Sequence, residues 1–238
     1  QDDAAARGFW RDYLRGYTGG PQRLPRVRRG SDETGLTGAS GVMVRIDAAT
    51  TTRLRTVALQ AGVTLNTLVQ FAWALVLHQY TGTNDVVFGA VRAGRHVPVA
   101  DADRMLGLLI NTVPVRVRFT PELTVRDAWQ ELRSKWLEMR PHEHTPLSVV
   151  QRGTAVPAGS PLFDTLVSVQ EPAWDETLRR LGGAWTERKF EIWSQPNYPL
   201  ALDVYAGETI TARGVFNPEF YTAHTVAQML GHFRAALA

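Results

Sequence analysis

Leu106-Gly107-Leu108-Leu109-Ile110-Asn111-Thr112-Val113-Pro114-Val115-Arg116-Val117-Arg118-Phe119 joins two patterns end to end. The first part is a dense apolar run that meets two polar residues, Asn111 and Thr112. The second alternates: Val113, Val115 and Val117 against Pro114, Arg116 and Arg118. A period of two is the signature of a strand with one face buried. Proline cannot donate to a ladder, so pairing either starts after Pro114 or the strand lies at a sheet edge. Asn and Thr at the mouth of an apolar strand must find hydrogen-bond partners. They either organise nearby backbone or line a polar channel, and the residues alone leave both readings open.

Working outward, Val42–Ile46 alternates like a second strand. Asp47 precedes a helix that runs to about Gln60, with Gly62 placed for a left-handed cap. Thr64 caps the next helix, whose Leu65, Leu68, Val69, Ala72, Leu75, Val76 and Tyr80 repeat at helical spacing, and Gly82 ends it. Asp85 leads into Val86-Val87-Phe88, a buried-type strand. Residues Ala93–Arg104 read as loop. Thr124 and Asp127 form a capping-box variant before a helix carrying Val125, Ala128, Trp129, Leu132, Trp136 and Met139, closed by Pro141. A polar loop follows. Strands are expected at Leu166–Val169, Ala184–Trp193, Leu200–Tyr205 and Thr209–Phe216, the last two as a hairpin around Ala206-Gly207-Glu208. A final helix begins near Thr222, with Val226, Met229, Leu230, Phe233 and Leu237 inward. A short helix around Gly8–Gly16 opens the chain, and an Arg/Pro/Gly-rich linker runs to about Gly41. This order predicts an α+β fold, helices packed on a mixed sheet.

Composition supports a folded core. Of 238 residues, 44% are hydrophobic and 21% charged, which excludes a disordered or collagen-like chain. No apolar run approaches the roughly 18 residues of a membrane span. There is no cysteine, so thiolate nucleophiles, disulfides and Cys-based metal sites are excluded. All but two of the 26 basic residues are arginine, the lysines being Lys135 and Lys189. The net charge is only +3, and no basic stripe with interleaved aromatics suggests nucleic acid. The chain begins at Gln1 and reads as a piece of something longer, with no secretory segment at its start.

The search for chemistry is nearly empty. There is no Gly-x-Ser-x-Gly elbow, no phosphate loop with a lysine and no dinucleotide fingerprint. His78, His96, His224 and His232 read as solvated or hydrogen-bonded side chains. Asp101 and Asp103 read as solvated loop carboxylates. His142-Glu143-His144 is the one cluster. Its spacing does not match a helical zinc motif, so it reads better as a loop whose polar groups satisfy backbone after a helix end.

Taken together, the motifs resemble those of the C-terminal half of a condensation domain from non-ribosomal peptide synthetases. Leu106–Arg116 is similar to that family's Gly-x-Phe/Leu-x-Asn-Thr-x-x-x-Arg motif. His142-Glu143-His144-Thr145-Pro146-Leu147 is similar to its His-Gln-Asp-x-Pro-Phe, and Ser160-Pro161-Leu162-Phe163-Asp164 to its Asn-Pro-Leu-Phe-Asp. Tyr80-Thr81-Gly82, Asp85–Gly89, Gly94-Arg95, Asn197-Tyr198-Pro199-Leu200 and Phe9–Leu14 fall in the family's order. His144, Ser148 and Ser160 stand where the family has two acidic residues and an asparagine.

The resemblance implies one lobe of a chloramphenicol-acetyltransferase-like pair. Residues 1–41 would be lead helix and inter-lobe linker, and 42–238 the C-terminal lobe. Between the lobes, an amide would form from a thioester donor and an amine acceptor. Both are held on phosphopantetheine arms of carrier proteins, with no cofactor bound directly. The family's His-His-x-x-x-Asp-Gly belongs to the other lobe and is absent here, so no catalytic residue is expected in this chain. Arg95 matches the arginine that pairs across the lobes. Asn111 and Thr112 match the tunnel floor, His142 and Pro146 match a motif near the lobe interface, and Gly107 and Tyr198 belong to the same substrate-tunnel and inter-lobe set. The expected partners are the N-terminal lobe and the donor and acceptor carriers, in the cytoplasm, with neither nucleic acid nor membrane. A non-catalytic recruiting relative, or an epimerisation or cyclisation relative, is the alternative.

Overall fold

The computed structural model describes residues 3–19, 24, 40–94, 104, 106–157, 159–170, 180–186 and 197–238. Six strands form one sheet: β1 (Ser40–Ile46), β2 (Asp85–Arg92), β3 (Asn111–Arg118), β4 (Thr165–Gln170), β5 (Leu200–Ala206) and β6 (Ile210–Phe216). The spatial order is β1-β6-β5-β4-β2-β3. The β1/β6, β5/β6 and β2/β3 pairs are antiparallel, whereas β2/β4 and β4/β5 are parallel. The sheet is thus mixed and largely antiparallel. The helices are α1 (Asp3–Tyr13), α2 (Ala48–Gln60), α3 (Leu65–Thr81), α4 (Val125–Met139), α5 (Leu147–Arg152) and α6 (Ala223–Leu237).

Helix starts follow local chemistry. The side chains of Asp47, Thr64, Thr124 and Thr222 accept the backbone N–H three residues on, each satisfying one of the four orphan donors of a helix start. Gly82 ends α3 at φ 67°, the left-handed conformation that a Cβ disfavours. Helix α3 is buried around most of its circumference rather than on one stripe, because it lies beneath α2, α4 and α6 and on the sheet. Its Trp73 Nε1–H donates to Thr165 Oγ1 at 3.2 Å, tying helix to strand inside the core.

Two apolar clusters result. The larger joins α2, α3, α4 and α6 to Val86, Phe88 and Ala90 of β2, Val204 of β5 and Ile210 and Ala212 of β6. The smaller gathers Trp10, Leu14, Tyr17, Val87, Val150, Leu162 and Phe163. It packs α1 and α5 with the β2 end of the sheet.

Several expectations change. The opening helix is Asp3–Tyr13, earlier than Gly8–Gly16, since Ala4–Ala6 extend it and Leu14–Gly16 form a turn. The polar loop after Pro141 contains α5, a helix too short for periodicity to reveal. Gly183–Trp185 is a 3-10 turn where a strand was expected, and 187–193 lie outside the described residues. Val125 on α4 is half exposed, while Ala128, Leu132 and Met139 are buried. Strand β3 starts at Asn111 and pairs straight through Pro114, opposite Gly89. It can do so because β3 is an edge strand. Phe119 N–H points inward to Asn84 O, while Arg116 N–H points outward to the Tyr13 hydroxyl. By parity, the Pro114 nitrogen also faces outward, where no ladder bond is lost.

Glycine at 214 lets α6 seat on β6. A Cβ there would stand 2.6 Å from Val226 Cγ1, and that short branched side chain cannot swing clear. G214V is expected to lower stability by about 2 kcal/mol through overpacking, read as an earlier urea midpoint at unchanged slope.

Candidate functional site

Asn111 begins β3. Its Nδ2 donates to Glu143 O at 2.7 Å and to Thr145 O at 2.8 Å. Both carbonyls belong to the turn between α4 and α5. Thr145 closes that turn on itself: its backbone N–H and its Oγ1–H both donate to His142 O, at 3.0 and 2.8 Å. The first motif therefore fixes the second one directly. Of the two readings of Asn111, organising backbone is the one that the geometry supports.

Arg116, five residues on, points to the other face, as an odd spacing on a strand requires. Its Nε and Nη2 form a two-bond fork with Asp85 Oδ1 and Oδ2, each at 2.7 Å. Its Nη1 donates to Arg15 O at 2.9 Å and Tyr13 O at 3.3 Å. These carbonyls lie at the end of α1, where helical partners run out. With a side chain only 4% exposed, Arg116 is a deeply placed ion-pair member, and all three functional nitrogens are satisfied. The Tyr13 hydroxyl accepts the Arg116 backbone N–H, and burial pushes its pKa up to about 12.

An aromatic path links the two ends. The His142 ring stacks on Phe9 at 4.5 Å, and Phe9 stacks on Tyr13 at 5.8 Å. Burial and the neighbouring His144 lower the His142 pKa, so the ring is neutral at pH 7. Phe163 and Thr112 both border Gly89. Phe163 stacks on Tyr198 at 5.4 Å, and it lies so close to β2 that a Cβ on Gly89 would be 2.4 Å from it and 3.0 Å from Thr112 Cγ2. Pro146 is the N-cap residue of α5, its carbonyl accepting Val149 N–H at 2.8 Å.

The structure thus gathers Asn111, His142 and Pro146 around one turn, with Tyr198 stacked on Phe163 and Thr112 beside Gly89. Gly107 stays apart, in an exposed stretch with Leu106, Leu108 and Ile110. Arg95 lies outside the described residues, as does His96. Among the described residues, the carbonyls of His142, Glu143 and Thr145 are met by Asn111 and by Thr145's own N–H and hydroxyl. Among the described residues no group of three His, Asp or Glu could hold a metal. Two other histidines bond as expected: His78 Nδ1 contacts Thr83 O at 2.7 Å, and His232 Nδ1 the Tyr80 hydroxyl at 3.0 Å, while His224 is exposed.

Sequence reading missed a second layer. Arg92, directly opposite Asn111 in the ladder, is 7% exposed. Burial pulls its pKa down to about 10, against an upward pull from Glu143, itself buried. It remains protonated at neutral pH. The Trp136 ring lies 5.4 Å from its guanidinium, with Arg133 at 5.2 Å and Arg140 at 5.6 Å. Arginine within about 6 Å of an indole face is stabilised by the ring quadrupole. The available signal was parity: an arginine on the inward-facing register of β2 had to be buried.

Two outcomes follow. N111A leaves two turn carbonyls without their donor and should cost about 2–3 kcal/mol, seen by thermal and urea unfolding. His142 has a folded pKa below its ordinary 6.5, so its contribution is present above that value and lost as pH falls through the folded one. Melting temperature should drop on acidification below about pH 6.5, and H142F should flatten that part of the profile while keeping the stack.

Comparison with known proteins gives a consistent result. The sequence model described as "Condensation domain" matches residues 1–238. The chain is 32% identical over 226 residues to the chondramide synthase of Chondromyces crocatus, covering 95% of this chain and 6% of that protein. It is 33% identical over 232 residues to a linear gramicidin synthase of Brevibacillus parabrevis, covering 98% of this chain and 4% of that protein. The chain therefore spans only a small part of these relatives. The solved first condensation domain of the CDA synthetase superposes with a TM-score of 0.76 at 16% identity, covering 98% of this chain and 50% of that one. That likeness shows the fold, and the sequence match over every residue shows the family: this chain belongs to the condensation-domain family.

Proposed function

We propose that this chain is the C-terminal lobe of a peptide-synthetase condensation domain and forms one wall of the tunnel in which an amide is made. The observation that carries this reading is the Asn111 clamp. It joins the Asn-Thr and His-Glu-His-Thr-Pro motifs into one rigid surface at a sheet edge. In the proposed reaction the amine of a carrier-bound acceptor attacks the carbonyl carbon of a carrier-bound thioester. The C–N bond forms, the C–S bond breaks, and the donor carrier's arm leaves as a thiol. The nitrogen's proton is handled by a histidine of the N-terminal lobe, and no residue of this chain touches the reacting atoms. This lobe contributes positioning, which can supply much of the barrier lowering when two tethered substrates are held in register.

In this reading Asn111, Thr112, His142, Pro146 and Tyr198 form the wall. Gly107 lets the Leu106–Ile110 stretch turn towards the other lobe, and Arg95 pairs across the interface. The phosphopantetheine arms are tethered substrates rather than bound cofactors. The partners are the N-terminal lobe and the two carriers, and the setting is the cytoplasm.

Amide formation from loaded donor and acceptor carriers, followed by mass spectrometry, tests this. The chain alone should be inactive, and adding the N-terminal lobe should give product. N111A, assayed below its melting temperature, should lower kcat about 100-fold by displacing the wall. Product from this chain alone would overturn the assignment.

A further inference from the structure

Arg92 ends β2, its guanidinium 5.4 Å from the Trp136 ring of α4, and the residue is only 7% exposed. Its Nε and Nη2 are buried and have no hydrogen-bond acceptor among the described residues. The buried Nε1 of Trp136 has none either. Orphaned N–H donors therefore sit on two neighbouring side chains. Buried donors are nearly always paired, with ordered water or an ion where no protein group serves.

Charge decides between water and ion. A buried guanidinium is costly unless an opposite charge meets it. Among the described residues Arg92 makes no ion pair: Glu143 and Tyr13 act on it through their fields, and Tyr13, its pKa pushed up to about 12, is neutral at pH 7. Arg133 and Arg140 approach the same indole, at 5.2 and 5.6 Å, and neither has a carboxylate partner among the described residues. The three guanidiniums around this ring thus outnumber the one carboxylate, Glu143, that acts on Arg92. Water would satisfy the N–H groups and leave that excess, whereas an anion meets both demands. Because Nε, Nη2 and Nε1 are all shielded from solvent, the ligand that fits is compact, closer to a single atom than to an oxyanion ester or an organic acid.

We propose that Arg92 Nε and Nη2, together with the Trp136 indole N–H, bind a halide-sized monovalent anion between β2 and α4. The site lies behind the Asn111 clamp, since Arg92 is the ladder partner of Asn111. It does not rest on the condensation reading.

Thermal unfolding of the chain in sodium chloride against sodium gluconate, at matched ionic strength, tests the site. Chloride should raise the melting temperature by about 3 °C over gluconate and then saturate, because a ligand held by the native state alone stabilises it by mass action. R92M puts an apolar side chain in place of a buried cation, an exchange that is often neutral or stabilising. It should therefore fold and lose the chloride increment. If R92M does not fold, W136F keeps a ring for the arginines, removes the N–H and should shrink the increment by about half or more. Crystals soaked in sodium bromide should show an anomalous peak within hydrogen-bond reach of Arg92 Nε. Equal melting in chloride and gluconate would assign water to these donors and overturn the site. An undiminished increment in R92M or W136F would place the effect on exposed arginines and overturn it too. Failed amide formation with the N-terminal lobe bears on the condensation reading and leaves these measurements standing.

Discussion

An edge strand exposes a row of unpaired backbone groups, and β3 resolves that constraint by being held on both faces. Asn111 on one face takes two carbonyls of the α4–α5 turn. Arg116 on the other takes the carbonyls at the end of α1 and the carboxylate of Asp85. Tyr13 accepts the outward Arg116 N–H between them. Covering an edge with packed segments is a general way to prevent unwanted strand pairing. Here the cover is also the candidate site, so edge protection and site construction are one arrangement.

The spacing of the Asn-Thr-x-x-x-Arg motif acquires a physical reason from this. Five residues along a strand reverse the side-chain direction. One strand can therefore reach two segments far apart in sequence, the 140–145 turn and α1, from opposite sides. Removing either grip frees a different segment. Asn111 governs the turn bearing His142 and Pro146, while Arg116 governs the helix bearing Phe9. The His142–Phe9 stack then depends on both. The buried Arg92, opposite Asn111, sets a positive charge whose field Glu143 favours, with its guanidinium 5.4 Å from the Trp136 ring centroid.

Much of the fold was legible because its signals are local. Asp47, Thr64, Thr124 and Thr222 cap where they stand, and Gly82 ends α3 where a left-handed residue is needed. Alternation located β1, β3, β5 and β6 within two residues. Helix α5 escaped because six residues are fewer than two helical turns, too few to show a period. The full burial of α3 escaped for a different reason: its apolar stripe is real, yet what covers the remaining sides comes from α2, α4 and α6.

For the site, the sequence alone determined which residues stand out: Asn111 and Thr112 against an apolar run, the His142-Glu143-His144 cluster and the absence of thiol chemistry. It also determined that Pro114 needed a missing ladder partner. Only tertiary structure decided that Asn111 bonds the backbone of that histidine cluster, that Arg116 pairs with Asp85, and that Tyr198 stacks on Phe163. Hydrogen-bond demand is a property of a residue and can be read from its type. The partner that meets it, here 32 to 34 positions away for Asn111 and 31 for Arg116, is set by which segments the sheet order brings together.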